Sequence, residues 1–363
     1  MQPKPQIVDL PVYEPGRTVE QVKQEFGVDN IVKLASNENP FGCSPTVKEA
    51  LINEFEHTAV YPDGASVELT KALSAHYGID PGQIIFGAGS DEVLLMTARA
   101  FLQPGDETIM AETTFPQYKH NSTIEGANII EVPLQDGKHD LEAMLAKVTA
   151  STKIVWICNP NNPTGTYNTE TEVVQFMDRI SKDVLVVLDE AYLEYAVATD
   201  YPDSLSLLEQ YPNLLLLRTF SKIYGLASLR IGYGLGSKSL IHSINQVREP
   251  FNTTRYAQAA ALAALQDQAF IDRCRELNRV GMDYLTSCFE QLGFSYFPSQ
   301  GNFIMVDVKR PGQAMFQSLL RRGVIVRAGH LPTYLRVTIG SREQNEAFIE
   351  ALKEALAEIE VGV

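Results

Sequence analysis

Three residues able to act on a carbonyl compound follow successive apolar runs: Asn162 after KIVWIC, Asp189 closing VLVVLD, and Lys222 after LLLLRTFS, with intervals of 27 and 33 residues. Each is ordinary by itself, because lysines beyond strands are mostly solvated and aspartates there often cap helices. In combination they describe one chemistry. A desolvated amine near other cations has its protonated form disfavoured and can condense with an aldehyde, and Lys222 is the candidate for that Schiff base. Ser221 and Arg230 supply a hydroxyl and a fork of N–H donors for a phosphate on the same aldehyde. A carboxylate at a buried strand end, Asp189, needs a cation to offset its desolvation, and a protonated pyridine nitrogen would serve. Asn162, held in the stiff turn NPNNPTG, and Tyr192, three residues beyond Asp189, are placed to share a phenolate oxygen of such a ring.

Two further groups point to anions. In FGAGSDE the backbone N–H groups of Gly89, Ser90 and Asp91 open a helix and could receive a phosphate at its positive end. A dinucleotide-binding turn is the rival reading of this stretch, and it lacks the third glycine of that motif. Arg327 ends GVIVR and Arg336 lies inside LRVTIG, an alternating strand that would present it on one face. Bidentate arginine geometry suits a carboxylate or a phosphate equally.

The elements that must position these residues follow an α/β rhythm. Short apolar runs at 84–86, 108–110, 128–132, 153–158, 184–189 and 214–218 alternate with helical stretches. Runs apolar on both faces suit a mainly parallel sheet covered by helices, with ligands beyond the carboxyl ends of its strands. A chain of 363 residues exceeds one usual core, so a large domain over 31–254 is expected. A small α/β domain would be formed by 255–363, joined by the proline-rich arm 1–30.

Composition narrows the function classes. A net charge of −15 argues against a nucleic-acid partner. The N-terminus lacks a signal-peptide pattern and no apolar run is long enough for a membrane span, so a cytoplasmic protein without a membrane partner is expected. Cys43, Cys158, Cys274 and Cys288 have no CxxC spacing and read as free thiols, and the six histidines form no zinc motif, so no metal is expected.

The chain resembles the class I/II aminotransferases of fold type I over nearly its whole length, from VYEPGR and KLASNENPFG through YPDGASVELTKAL, GAGSDE, NPNNPTG, VVLDEAY and TFSKIYGLASLRIGYG to LRVTIGSREQNE. The resemblance implies a three-layer α/β/α large domain and pyridoxal 5'-phosphate as cofactor. Lys222 would be its covalent anchor and proton carrier, and Asp189 the partner of its pyridine nitrogen. Asn162 and Tyr192 would bind its phenolate oxygen, and Ser90, Asp91, Thr219, Ser221 and Arg230 would hold its phosphate. Tyr118 is preferred over Phe115 as the aromatic stacked on the ring. Tyr61 would reach the phosphate of a neighbouring subunit, which implies a homodimer. Tyr13, Asn39, Arg327 and Arg336 would bind substrate. Within the family the motifs are most similar to the branch that transaminates histidinol phosphate with 2-oxoglutarate, releasing imidazole-acetol phosphate and glutamate in histidine biosynthesis. Transamination of aromatic amino acids or decarboxylation of threonine phosphate on the same scaffold are the alternatives.

Overall fold

The computed structural model describes residues 1–12, 16–329 and 331–359. Its main sheet contains β1 (Ile84–Gly87), β2 (Glu107–Ala111), β3 (Asn128–Val132), β4 (Thr152–Cys158), β5 (Leu185–Asp189), β6 (Leu214–Thr219) and β7 (Gly232–Gly236). They lie in the order β1-β7-β6-β5-β4-β2-β3. The five strands β2 to β6 are mutually parallel, and β7 runs antiparallel between β6 and β1.

Side chains alternate across this sheet because the strand repeat is two residues. Val155, Ile157, Val186, Leu188 and Leu216 enter the core on one face, while Ile154, Trp156, Leu185, Val187 and Leu217 enter the core on the other. Every residue of β5 and β6 is buried. Continuous apolar runs are therefore what a sheet covered by helices on both faces requires. The register brings Cys158 opposite Asp189, and Asp189 opposite Leu217. The carboxyl ends of β4, β5 and β6 are thus level, and the residues that follow them leave the sheet along one edge.

A second sheet is antiparallel, with β8 (Ser295–Tyr296), β9 (Phe303–Asp307), β10 (Arg327–Ala328) and β11 (Tyr334–Thr338) in the order β10-β11-β9-β8. Its core includes Leu285, Phe289, Val306, Leu319, Val337 and Phe348. Val32–Lys33 pairs in parallel with Val324–Ile325 and ties the start of the chain to this unit.

The core of the large sheet takes in side chains beyond residue 254. The helix Arg255–Gln266 buries Ala257, Ala260, Ala261 and Ala264 in the large-sheet core and packs against the helix Pro45–Glu54. Its small side chains allow that close approach. The helix Gln268–Gln291 then passes from one core to the other, with Ile271 and Cys274 in the first and Leu285 and Phe289 in the second.

Candidate functional site

A cavity of about 1020 Å³ opens at the carboxyl edge of the main sheet, and the second sheet closes one side of it. Ser90, Asp91, Asn162, Asp189, Tyr192, Thr219, Ser221, Lys222, Arg230, Arg327 and Arg336 all line this single space.

Lys222 follows β6 and extends Nζ to within 3.3 Å of the Ser36 carbonyl, 5.5 Å from the centre of the Tyr192 ring. Burial and the neighbouring Arg336 guanidinium lower its pKa to about 8, against the opposing pull of Asp91 and Glu38. A substantial share of the amine is therefore neutral, and nucleophilic, near physiological pH.

Asp189 ends β5 and is 4% exposed. Its Oδ2 accepts a 2.6 Å hydrogen bond from the Tyr118 hydroxyl and its Oδ1 a 3.2 Å bond from the Ala191 amide. Burial nevertheless wins over these bonds and raises the carboxyl to about 6. The geometry leaves an acid whose ionised form is stabilised by any cation brought to its open side.

The turn after β4 is held from below. Asn161 donates through Nδ2 to the Thr113 carbonyl (3.1 Å) and to Thr164 Oγ1 (2.9 Å), and its Oδ1 accepts from Thr114 Oγ1 (2.8 Å). Burial lowers His139 to about 4, so the ring is neutral, and its Nε2 lies 3.0 Å from the same Oδ1. Because that oxygen only accepts, Nε2 carries the hydrogen. Asn162 emerges from this frame with Oδ1 accepting a 2.6 Å bond from Arg336 Nη1. With its oxygen engaged, its NH₂ group is the part left to donate into the cavity.

At the opposite end the helix Ser90–Phe101 begins, with Gly89 as its N-cap at φ 84°. Ser90 and Asp91 of its first turn line the cavity together with Ser221 and Arg230, and Arg230 Nη1 lies 3.3 Å from Ser221 Oγ. Arg230 Nη2 also pairs with Asp91 Oδ2 at 3.4 Å. That contact engages the Asp91 carboxylate, which would repel an anion, so what Asp91 offers a phosphate is its backbone N–H at the helix start, as expected from GAGSDE. Glycine is required on both sides of this cup. A Cβ on Gly89 would lie 2.5 Å from Arg230 Nη2, and one on Gly232 would collide with the Ser90 amide nitrogen.

Arg327 and Arg336 are direct cross-strand neighbours on β10 and β11. Two guanidinium groups so placed can converge on one anion. Arg336 is 8% exposed, with Nη2 donating to the Ala35 carbonyl at 2.7 Å.

Several expected residues are placed differently. Tyr118 lies beneath the cavity, stacked on Trp156 with ring centres 5.2 Å apart, and its hydroxyl serves Asp189. Its ring is therefore turned from the cavity, and of the two aromatics in TTFPQY it is Phe115 that lines the wall. Asn39 is outside the cavity lining, its Nδ2 donating to the Ile223 carbonyl at 2.7 Å and its Oδ1 accepting from the Phe41 amide. Asn37, which sequence reasoning passed over, occupies the wall instead. Both asparagines stand in SNENP, and no periodic element gives their phase. Tyr61 is 75% exposed and stacks on Phe251, away from its own chain's cavity. Tyr13 lies outside the described residues.

The fold and this constellation are those of an amino-group transferase that works through a carbonyl cofactor. The family model for aminotransferase class I and II matches residues 29–352, and the chain belongs to that family. Among its relatives, a histidinol-phosphate aminotransferase of Geobacillus sp. (strain WCH70) is 55% identical over 361 residues, covering 99% of each chain. Another of the same name from Bacillus subtilis (strain 168) is 51% identical over 98% of this chain and 100% of that one. The crystal structure of histidinol-phosphate aminotransferase from Sinorhizobium meliloti in complex with pyridoxal-5'-phosphate is similar with a TM-score of 0.91 and 29% identity, covering 98% of this chain and 97% of that chain.

Proposed function

We propose that this protein transfers the amino group of L-histidinol phosphate to 2-oxoglutarate, yielding imidazole-acetol phosphate and glutamate, with pyridoxal 5'-phosphate as carrier. The observation that carries the reading is one cavity joining Lys222, Asp189, the anion cup of Ser90, Ser221 and Arg230, and the arginine pair. Full-length identity to relatives named for this reaction supports the choice of substrate.

The residues present fit the cofactor. Asp189 offers a buried acid lacking full compensation, Lys222 an amine lowered to about 8, and Gly89 and Gly232 a space that a Cβ would fill. When bound, pyridoxal phosphate supplies an electron-withdrawing ring that accepts the pair left as the substrate Cα–H bond breaks. Lys222 would anchor it and would be the group placed to take the proton from the substrate carbon, its amine being lowered to about 8 by burial and Arg336. Asp189 would keep the pyridine nitrogen protonated, Phe115 would be the aromatic beside the ring, and Asn162 and Tyr192 would donate to the phenolate oxygen. Ser221, Arg230 and the helix N-terminus hold the phosphate, with Thr219 behind them.

Arg327 and Arg336 receive the anionic end of each substrate in turn: the phosphate of histidinol phosphate, then a carboxylate of 2-oxoglutarate. Their placement on paired strands lets two guanidinium forks reach one bound dianion. This reading carries with it a cytoplasmic address and a homodimer in which Tyr61 completes the phosphate cup of the other subunit.

The test is product formation. Purified protein loaded with cofactor should convert histidinol phosphate and 2-oxoglutarate with a higher kcat/KM than phenylalanine or tyrosine, and borohydride should fix the cofactor on Lys222. Preferential turnover of the aromatic amino acids would replace the substrate assignment, and a reduced adduct on another lysine would overturn the site.

A further inference from the structure

Tyr192 is the one phenolate-oxygen partner in the cavity whose hydrogen is not fixed by its own chemistry, because a hydroxyl can donate in either direction. What points it is a residue from a different part of the chain. Asn37 Nδ2 lies 3.0 Å from the Tyr192 hydroxyl oxygen, buried from solvent. Thr338 Oγ1, on β11 two residues beyond Arg336, lies 2.9 Å from Asn37 Oδ1 and accepts from the Asn37 backbone N–H at 3.0 Å. The Asn37 carbonyl accepts from Asn302 Nδ2 at 3.0 Å. Every polar group of Asn37 is therefore engaged.

The directions of these bonds follow from the donor inventory. The Thr338 hydroxyl already accepts from a backbone N–H, and a hydroxyl has one hydrogen, which goes to Asn37 Oδ1. The amide is thereby oriented with its NH₂ group toward Tyr192. Tyr192 must accept from it, and its single hydrogen is turned away from Asn37, toward the cavity. Asn37 holds this pose at φ 55°, in the left-handed region that asparagine tolerates better than most side chains.

We propose that Asn37 is a positioning residue that sets the direction of the Tyr192 hydroxyl, so that Tyr192 acts only as a donor to the cofactor's phenolate oxygen, with Thr338 fixing the Asn37 amide. The inference rests on the pyridoxal phosphate reading. It adds that the strand bearing Arg336 also governs the hydrogen bond at the ring. Substrate anion and cofactor oxygen are thus served by neighbouring residues of one strand, at the junction of the two sheets.

The experiment uses holoenzyme and reads two quantities besides turnover: the pH midpoint of the bound cofactor's visible absorbance and the dissociation constant for pyridoxal phosphate. Asn37→Asp presents an acceptor where the amide donated, so the Tyr192 hydrogen turns to residue 37. The midpoint should rise by about one pH unit and affinity fall about tenfold, the scale of one hydrogen bond to a charged group. Asn37→Gly keeps the positive φ and removes the amide, and should shift the midpoint in the same direction by less. Thr338→Val should behave like Asn37→Gly, and Thr338→Ser should restore the wild-type midpoint. The deciding comparison is made in Tyr192→Phe, where Asn37→Gly should change the spectrum no further. An equal shift with or without the tyrosine hydroxyl would show that Asn37 acts through the fold and overturn the proposal, as would a wild-type midpoint in Asn37→Asp. Failure of wild-type protein to form the Lys222 adduct at all would instead sink the functional reading, and is seen before any variant is made.

Discussion

Asp189 is costly to the apoprotein and useful to the loaded enzyme. Its folded pKa of about 6 exceeds the ordinary value of 3.8, so the native state holds the proton more tightly than the unfolded chain. Stability then falls as pH rises from about 4 to about 6, and the loss persists above that window. The difference corresponds to roughly 3 kcal/mol. Asn at this position removes the charge and keeps the shape. We expect apo Asp189→Asn to melt above the wild type at pH 7, by the equivalent of about 1–3 kcal/mol, with the gap closing below pH 4. The same variant should lose at least a hundredfold in kcat. Equal melting temperatures across pH 4–8 would show that the carboxylate is already compensated in the apoprotein.

Residues at strand ends were legible because an apolar run fixes where the chain leaves the sheet: Asn162, Asp189 and Lys222 needed only that rule. Tyr118 and Asn39 were not. In TTFPQY the helix Gln117–Ile124 starts between the two aromatics, and three residues of phase decide which ring meets the cavity and which goes under the sheet edge to Asp189. In SNENP the choice between Asn37 and Asn39 depends on hydrogen bonds from the Asn37 backbone N–H to the Thr338 hydroxyl and from the Asn39 amide to the Ile223 carbonyl, 301 and 184 residues away in sequence. No local pattern encodes such partners.

At the scale of elements, the anion cup depends on a helix start brought close to β7 and to the Arg230 turn. Gly89→Ala places a methyl 2.5 Å from Arg230 Nη2 on a backbone with φ 84°. We expect a loss of about 1–3 kcal/mol in stability from the strained backbone, and a specific loss at the cup. Inorganic phosphate should raise the melting temperature of wild-type apoprotein and not that of the variant. If phosphate protects both alike, the anion binds elsewhere. The arginine pair on β10 and β11 is a second element-scale device, built from cross-strand register. Arg336→Ala should raise KM for histidinol phosphate ten- to hundredfold, the cost of losing one charged donor of about 1.5–3 kcal/mol. It also releases Asn162 Oδ1, so cofactor affinity should drop as well. Arg327→Ala removes the second guanidinium fork facing the same anion, and should likewise raise KM for histidinol phosphate. The strands themselves were readable as runs apolar on both faces. The core that Arg255–Gln266 joins was not, because the helix has the same pattern whichever core it meets, and only the fit of its alanines against Pro45–Glu54 assigns it.

At the scale of the molecule, one face carries more apolar surface than a lone chain needs. Ile52, Phe55, Val60, Tyr61 and Phe251 are 58%, 70%, 61%, 75% and 46% exposed. Phe55 packs edge-on to Tyr256, Tyr61 stacks on Phe251, and Arg255 bridges Glu54 and the Tyr61 carbonyl, so these residues form one continuous region. Contiguous exposed apolar surface marks an association site, and in a symmetric dimer the same patch would meet itself. The expectation is a homodimer in which each Tyr61 hydroxyl reaches the other chain's phosphate cup. Sedimentation would establish the dimer, and hybrids would establish the reach. Tyr61→Phe should weaken pyridoxal phosphate binding about tenfold, as one lost bond to a charged group, while Lys222→Ala should be inactive. In a hybrid of the two variants, action across the interface gives one subunit a native lysine together with a native tyrosine from its neighbour. The hybrid then has one wild-type site, with cofactor affinity indistinguishable from wild type at that site. If Tyr61 serves its own chain, the only subunit with Lys222 also carries the phenylalanine, and the weakened affinity persists in every hybrid.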